Sequence, residues 1–189
     1  MKTSPSLGCC GLDCGLCPRF YTHGTSRCPG CCGDDFFNKH PSCAFVTCCV
    51  SKKGLEVCAE CSDFPCARFD RETGMTDSFI THRRVMHNQE FIRKYGIAVF
   101  LEQQSRRMNI LQTMIGHYDD GKSRSFFCLA AALLSLEGLN AGLTKTEQEV
   151  KERAIGKEDL KSRARIARES MEQIAGQENV ELKLRKSKK

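Results

Sequence analysis

Nowhere in the 189 residues do eighteen apolar side chains run together, which argues against a membrane-spanning helix. The opening segment, MKTSPSLGCCGLDCGLC, carries one lysine but no apolar stretch of the length an export signal needs, so the chain is expected in the cytoplasm. No segment of twenty or more residues repeats, and no complete catalytic constellation is spelled out; if the chain is an enzyme, its chemistry is expected to be redox. The basic end, Leu182-Lys183-Leu184-Arg185-Lys186-Ser187-Lys188-Lys189, has no aromatic interleaved to stack on bases. It reads first as a solvated, fraying tail and only second as a nucleic-acid contact, and the expected partner is another protein.

Cysteine, by contrast, is abundant and local. Thirteen of the fourteen cysteines lie between Cys9 and Cys66, around three Cys-x-x-Cys pairs: Cys14/Cys17, Cys28/Cys31 and Cys58/Cys61. Two thiolates separated by two residues can turn inward on one tight loop and grip a soft ion. The three pairs, with Cys10, Cys43, Cys48, Cys49 and Cys66, supply enough sulfur for two tetrahedral sites. In a reducing cytoplasm such spacing points to metal ligands before disulfides.

The formal charge of +6 is uneven, with 12 Lys and Arg against 7 Asp and Glu in residues 151–189. Four thiolates around one divalent ion leave a charge of about minus two, so an acidic head and a basic tail are expected. Residues 9–70 are rich in glycine and proline and poor in large apolar side chains, and would rely on metal to fold. From Asp77 helix formers dominate. The architecture expected is therefore mainly α: a small, irregular, cysteine-rich metal-binding head (1–72) packed on an α-helical part (73–189).

Within that part, Thr76 or Asp77 is expected to cap a helix carrying Phe79, Ile80 and Met86, and a second helix from Asn88 to end at Tyr95 before Gly96. Ile97, Leu101, Met108, Leu111 and Ile115 mark a third, with Gln104 filling a gap in the stripe. The run from Phe126 to Leu134 is apolar all round and should be buried. Thr144 with Glu147 reads as a capping box. Leu160, Ala164, Ala167, Met171 and Ile174 predict a last helix stopping at Gly176, and the alternation of Val180, Leu182 and Leu184 suggests an edge strand.

The order Cys10-Gly-Leu-Asp-Cys14-Gly-Leu-Cys17-Pro, then Cys28-Pro-Gly-Cys31, Cys43, Cys48-Cys49 and Cys58-Ala-Glu-Cys61-Ser-Asp-Phe-Pro-Cys66 resembles domain of unknown function 3795, a family found largely in anaerobic bacteria and archaea. Thr81-His82-Arg83-Arg84 and Asp119-Asp120-Gly121-Lys122-Ser123 are similar to a longer subgroup of it. The resemblance implies a metal-binding module whose ligands fall on Cys10, Cys14, Cys17, Cys28, Cys31, Cys43, Cys49, Cys58, Cys61 and Cys66. It supplies no activity.

Zinc is the first expectation for the metal, because Cys28-Pro-Gly-Cys31 and Cys58-Ala-Glu-Cys61 look like zinc knuckles, and with it a structural role in an accessory or interaction protein. The alternative is an iron–sulfur cluster in a redox or electron-transfer protein, since the same thiolates suit both. Cys10-x3-Cys14-x2-Cys17 also has the spacing of radical S-adenosylmethionine enzymes, but no barrel strand precedes it. His23 and His40 can replace a thiolate, whereas His82 and His87 are five apart and do not share a helix face. Gly121-Lys122-Ser123 ends like a phosphate loop without the strand such a loop follows, so a polar helix cap is the simpler expectation. Cys128, inside the apolar run, reads as a small buried hydrophobe.

Overall fold

From Val85 onward the chain is helical, and the groups that start and stop most of its helices can be named. The computed structural model describes residues 2–40, 42–70 and 76–186. Short helices α1 (Phe36–Lys39) and α2 (Ala67–Asp70) punctuate the cysteine-rich region, with a π-helical turn at Val46–Lys52. Then come α3 (Val85–Tyr95), α4 (Ile97–Tyr118), α5 (Arg124–Leu133), α6 (Leu136–Glu152) and α7 (Leu160–Gln177). The fold is mainly α with an irregular cysteine-rich N-terminal region. Among the described residues there is no strand, and no helix is long and apolar enough to cross a membrane.

The chain forms two compact units. One runs through Gln104 and takes in the tail from Leu184; the other is Ser105–Lys183. The change of composition near residues 70–76 lies inside the first unit.

In the first unit apolar packing is divided among small clusters, including Leu7, Val57, Ile92 and Phe100 in one, Cys9, Cys31, Phe36, Val46 and Cys49 in another, and Phe64, Phe69 and Val85 in a third. Small separate clusters hold loops weakly, which is where crosslinks or metals commonly contribute. The helix expected from residue 77 does not form. Asp77 accepts hydrogen bonds from the backbone N–H groups of His82 (2.8 Å) and Arg185 (2.8 Å), and its own N–H donates to Arg185 O (3.0 Å). The carboxylate that would have capped a helix is thus engaged in a turn, and helical structure begins at Val85. From Val180 to Leu184 the chain takes no regular secondary structure and bends at Lys183, so its alternation does not mark a sheet edge.

In the second unit α6 and α7 lie side by side, and α5 is buried from Phe127 to Leu133, as its unbroken apolar character requires. Arg107 of α4 closes the end of α5, donating to Ala131 O (2.8 Å) and Leu134 O (2.6 Å). Of the stripe expected on α4, Gln104 and Leu111 are buried while Ile97, Leu101, Met108 and Ile115 are half-buried; the other buried positions are Phe100, Ile110, Met114 and Tyr118. Thr144 and Glu147 lie inside α6: the cap is Ser135, whose Oγ accepts from Gly138 N–H (2.9 Å). Nor does α7 stop at Gly176. It ends with Asn179 in the left-handed region (φ 54°), while Val180 N–H bonds Ala175 O (2.8 Å) and Asn179 N–H bonds Gly176 O (3.3 Å). That pair of bonds is a Schellman cap.

Candidate functional site

Two of the three Cys-x-x-Cys pairs fold locally as a tight turn. Cys14–Leu16 and Cys58–Glu60 are single 3-10 turns, closed by Cys17 N–H to Cys14 O (3.2 Å) and Cys61 N–H to Cys58 O (2.9 Å). At the Cys28-Pro-Gly-Cys31 knuckle the turn needs glycine, because Gly30 has φ 85° and a Cβ there would lie 2.3 Å from Pro5 O. That same oxygen accepts Cys31 N–H at 2.8 Å.

Three buried amides hold these loops to the helices of their unit. Gln89 of α3 donates to Cys9 O (2.8 Å) and accepts from Ala59 N–H (2.6 Å). Asn88 donates to Gly11 O (2.9 Å) and to Asp13 Oδ2 (2.8 Å). Gln104 donates to Ser6 O (3.1 Å) and Asp13 Oδ1 (3.2 Å) and accepts from Ser6 Oγ (2.9 Å). The gap that Gln104 leaves in an apolar stripe is a sequence signal for one of them. Asn88 and Gln89, on a short helix, read like surface residues. At the N-terminus Lys2 is buried in an ion pair with Glu56 (3.0 Å), whose carboxylate also accepts the N–H groups of Thr3 and Ser4.

The ten candidate ligands fall into two groups. Cys10, Cys14, Cys17, Cys28, Cys31 and Cys43 line a cavity of about 400 Å³, with Cys9 and His40 also on its wall. Cys49, Cys58, Cys61 and Cys66 line a second, of about 180 Å³, with Cys48 beside them. Apolar walls back both: Leu12, Phe36 and Val46 in the first, Phe45, Phe64 and Phe69 in the second. Of the adjacent cysteines, Cys32, left-handed at φ 59°, faces neither cavity. His40 Nε2 is 3.5 Å from Cys28 Sγ, while His23 is exposed and His82 lines neither cavity.

Cys9 stands between the groups, its thiol in hydrogen-bonding contact with Cys31 of the first and with Cys49 and Cys58 of the second. These contacts, with Cys31 foremost, and burial push the Cys9 thiol far up, so it keeps its proton. Cys31, accepting from Cys9, is held below the usual thiol range; Cys49, contacted by Cys58 and Cys9, is held below it too. Each group therefore has one thiol favoured as thiolate, the form that binds metal. Burial pushes Cys14 and Cys17 up, and a bound cation would reverse that. On the rim of the second cavity, Lys53 Nζ donates to Cys61 Sγ (2.9 Å) and to Asp63 Oδ2 (2.6 Å).

Zinc and iron–sulfur centres both take thiolates but make different spatial demands. One ion needs ligands converging on a point, whereas a cluster spreads its ligands over several iron atoms. Among the described residues, no three Cys, His, Asp or Glu side chains are grouped to hold a single ion. The cysteines line two cavities, with thiols enough in each for either kind of centre.

The remaining motifs are structural. Asp119 Oδ1 accepts from Gly121 and Arg124 N–H, and Asp120 Oδ1 from Lys122 and Ser123 N–H, so the amides that would cradle a phosphate are taken up by carboxylates. Cys128 is buried within α5. The chain matches no family model, no curated protein and no solved structure.

Proposed function

We propose that the cysteine-rich unit holds iron–sulfur clusters and that the protein serves as a redox or electron-transfer protein of a reducing cytoplasm. The observation that carries this is the division of the ten candidate ligands between two apolar-backed cavities, each furnished with at least the four thiols a cluster takes. Such a group, when bound, supplies one-electron chemistry. The chain's own part is to present thiolates, exclude water with Phe36, Val46, Phe64 and Phe69, and direct N–H groups at sulfur, as Cys9 N–H does towards Cys31 Sγ at 3.5 Å. The cysteine order that resembles domain of unknown function 3795 suits the same ligand set.

The test is to purify the protein without oxygen, measure iron, acid-labile sulfide and zinc per chain, and record electron paramagnetic resonance spectra after reduction with dithionite. Iron and sulfide in equal amounts, with a signal on reduction, are expected. About two zinc ions and no iron would overturn the proposal.

Zinc is the second reading, and it has its own observation. The thiols of Cys9, Cys49 and Cys58 are in hydrogen-bonding contact with one another, and thiolates are zinc's preferred ligands. The protein would then be a zinc-stapled accessory protein acting through a protein partner.

A further inference from the structure

We propose that Lys53 is a positioning residue of the second cysteine group, donating to the Cys61 sulfur and raising the reduction potential of the centre that Cys49, Cys58, Cys61 and Cys66 bind. This rests on the iron–sulfur reading of the site. Lys53 directly follows the π-helical turn that carries Cys48 and Cys49, and its N–H bonds Cys48 O at 3.1 Å. Its side chain reaches across to the Cys58–Cys61 knuckle, where the ammonium lies 2.9 Å from Cys61 Sγ. Asp63, two residues beyond Cys61, takes a second bond from the same ammonium at 2.6 Å and fixes its place.

A charged N–H donor on a ligand sulfur withdraws electron density from it, and hydrogen bonds to sulfur are among the factors that set a cluster's potential. Adding one electron makes the centre more negative by one charge, so a cation in contact with its ligand favours the reduced form over the oxidised one. Asp63 acts in the opposite sense: it anchors Lys53, but its negative charge offsets part of the effect. On the first cavity, whose wall includes Arg19 and Lys39, the contact His40 makes with Cys28 is longer, 3.5 Å.

The experiment is a redox titration of the anaerobic holoprotein, followed by electron paramagnetic resonance, for wild type, Lys53→Met, Lys53→Arg and Asp63→Asn. Iron and sulfide are measured first in each. In Lys53→Met the potential of one centre falls and the other stays; Lys53→Arg, which keeps charge and donors, remains near wild type; Asp63→Asn moves the same centre upward. Wild-type protein without iron would overturn the reading of the site and the potential with it. Wild-type iron with a Lys53→Met potential that is unchanged, or with both centres shifted, would overturn the role of Lys53 alone. Should Lys53→Met not load, Lys53→Gln, which keeps an N–H donor and removes the charge, decides; no fall in the potential there refutes the role.

Discussion

Gln89 shows how much of the site depends on a residue that is not a ligand. It is fully buried, and its amide pairs the carbonyl of Cys9 with the N–H of Ala59, joining the first cysteine loop to the Cys58–Cys61 turn through one side chain. Removing it leaves the buried Ala59 N–H unpaired, at about 1–3 kcal/mol, while Cys9 O keeps the Cys58 N–H at 2.8 Å. Gln89→Ala should therefore lower the unfolding free energy in urea by about 1–3 kcal/mol; a loss under about 0.5 kcal/mol, the range of an exposed substitution, would show that the amide is dispensable. Among the cysteines, the turns at Cys14/Cys17 and Cys58/Cys61 were legible because each is local, whereas Cys31 takes its backbone partner from Pro5. Which of two adjacent cysteines faces a cavity was not: Cys32 is turned aside by its left-handed backbone, while Cys9 and Cys10 both face the first cavity.

Helix interiors followed from periodicity, and helix ends often did not. The apolar run that became α5 and the stop at Gly96 are set by nearest neighbours along the chain, so pattern suffices. For α6, Ser135 caps the start, and Glu178, beyond α7, accepts its N–H at 2.9 Å, so the cap is completed by a residue 43 positions away. A capping box drawn at Thr144 fitted the local rule just as well and lies inside the helix. At the far end of α7 the left-handed residue is Asn179, and asparagine tolerates that region better than any branched or larger side chain. Asn179→Ala is expected to lower stability by about 1 kcal/mol and Asn179→Gly to leave it equal or raise it, as followed by the loss of helical circular dichroism in urea. Equal midpoints for the two variants would mean that the backbone angle costs nothing there.

The first compact unit is discontinuous in sequence, because the tail from Leu184 returns to it. Arg185 and Asp77 fasten it, with the guanidinium 3.0 Å from the carboxylate and two backbone bonds between the same residues. Burial alone would push the Asp77 carboxyl up, but the N–H groups of His82 and Arg185 and the guanidinium outweigh it and hold the group below the usual carboxylate range. A carboxyl depressed on folding contributes stability that is complete above the unfolded value, about pH 4, and is lost as pH falls through the lower folded value. The stability difference between wild type and Asp77→Asn should be constant from neutral pH down to about 4 and shrink below it. A difference that instead grows on acidification would reverse the assignment.

Helical class was determined by the chain's order alone, since a helix face involves residues a few positions apart. The division of ten cysteines into six and four, the three amides beneath them, the Lys53 contact with Cys61 and the return of Arg185 to Asp77 were decided by tertiary structure. Most of these join segments tens of residues apart, and even Lys53 and Cys61, only eight apart, meet because a π-helical turn and a 3-10 turn face each other across a cavity, which no spacing rule encodes.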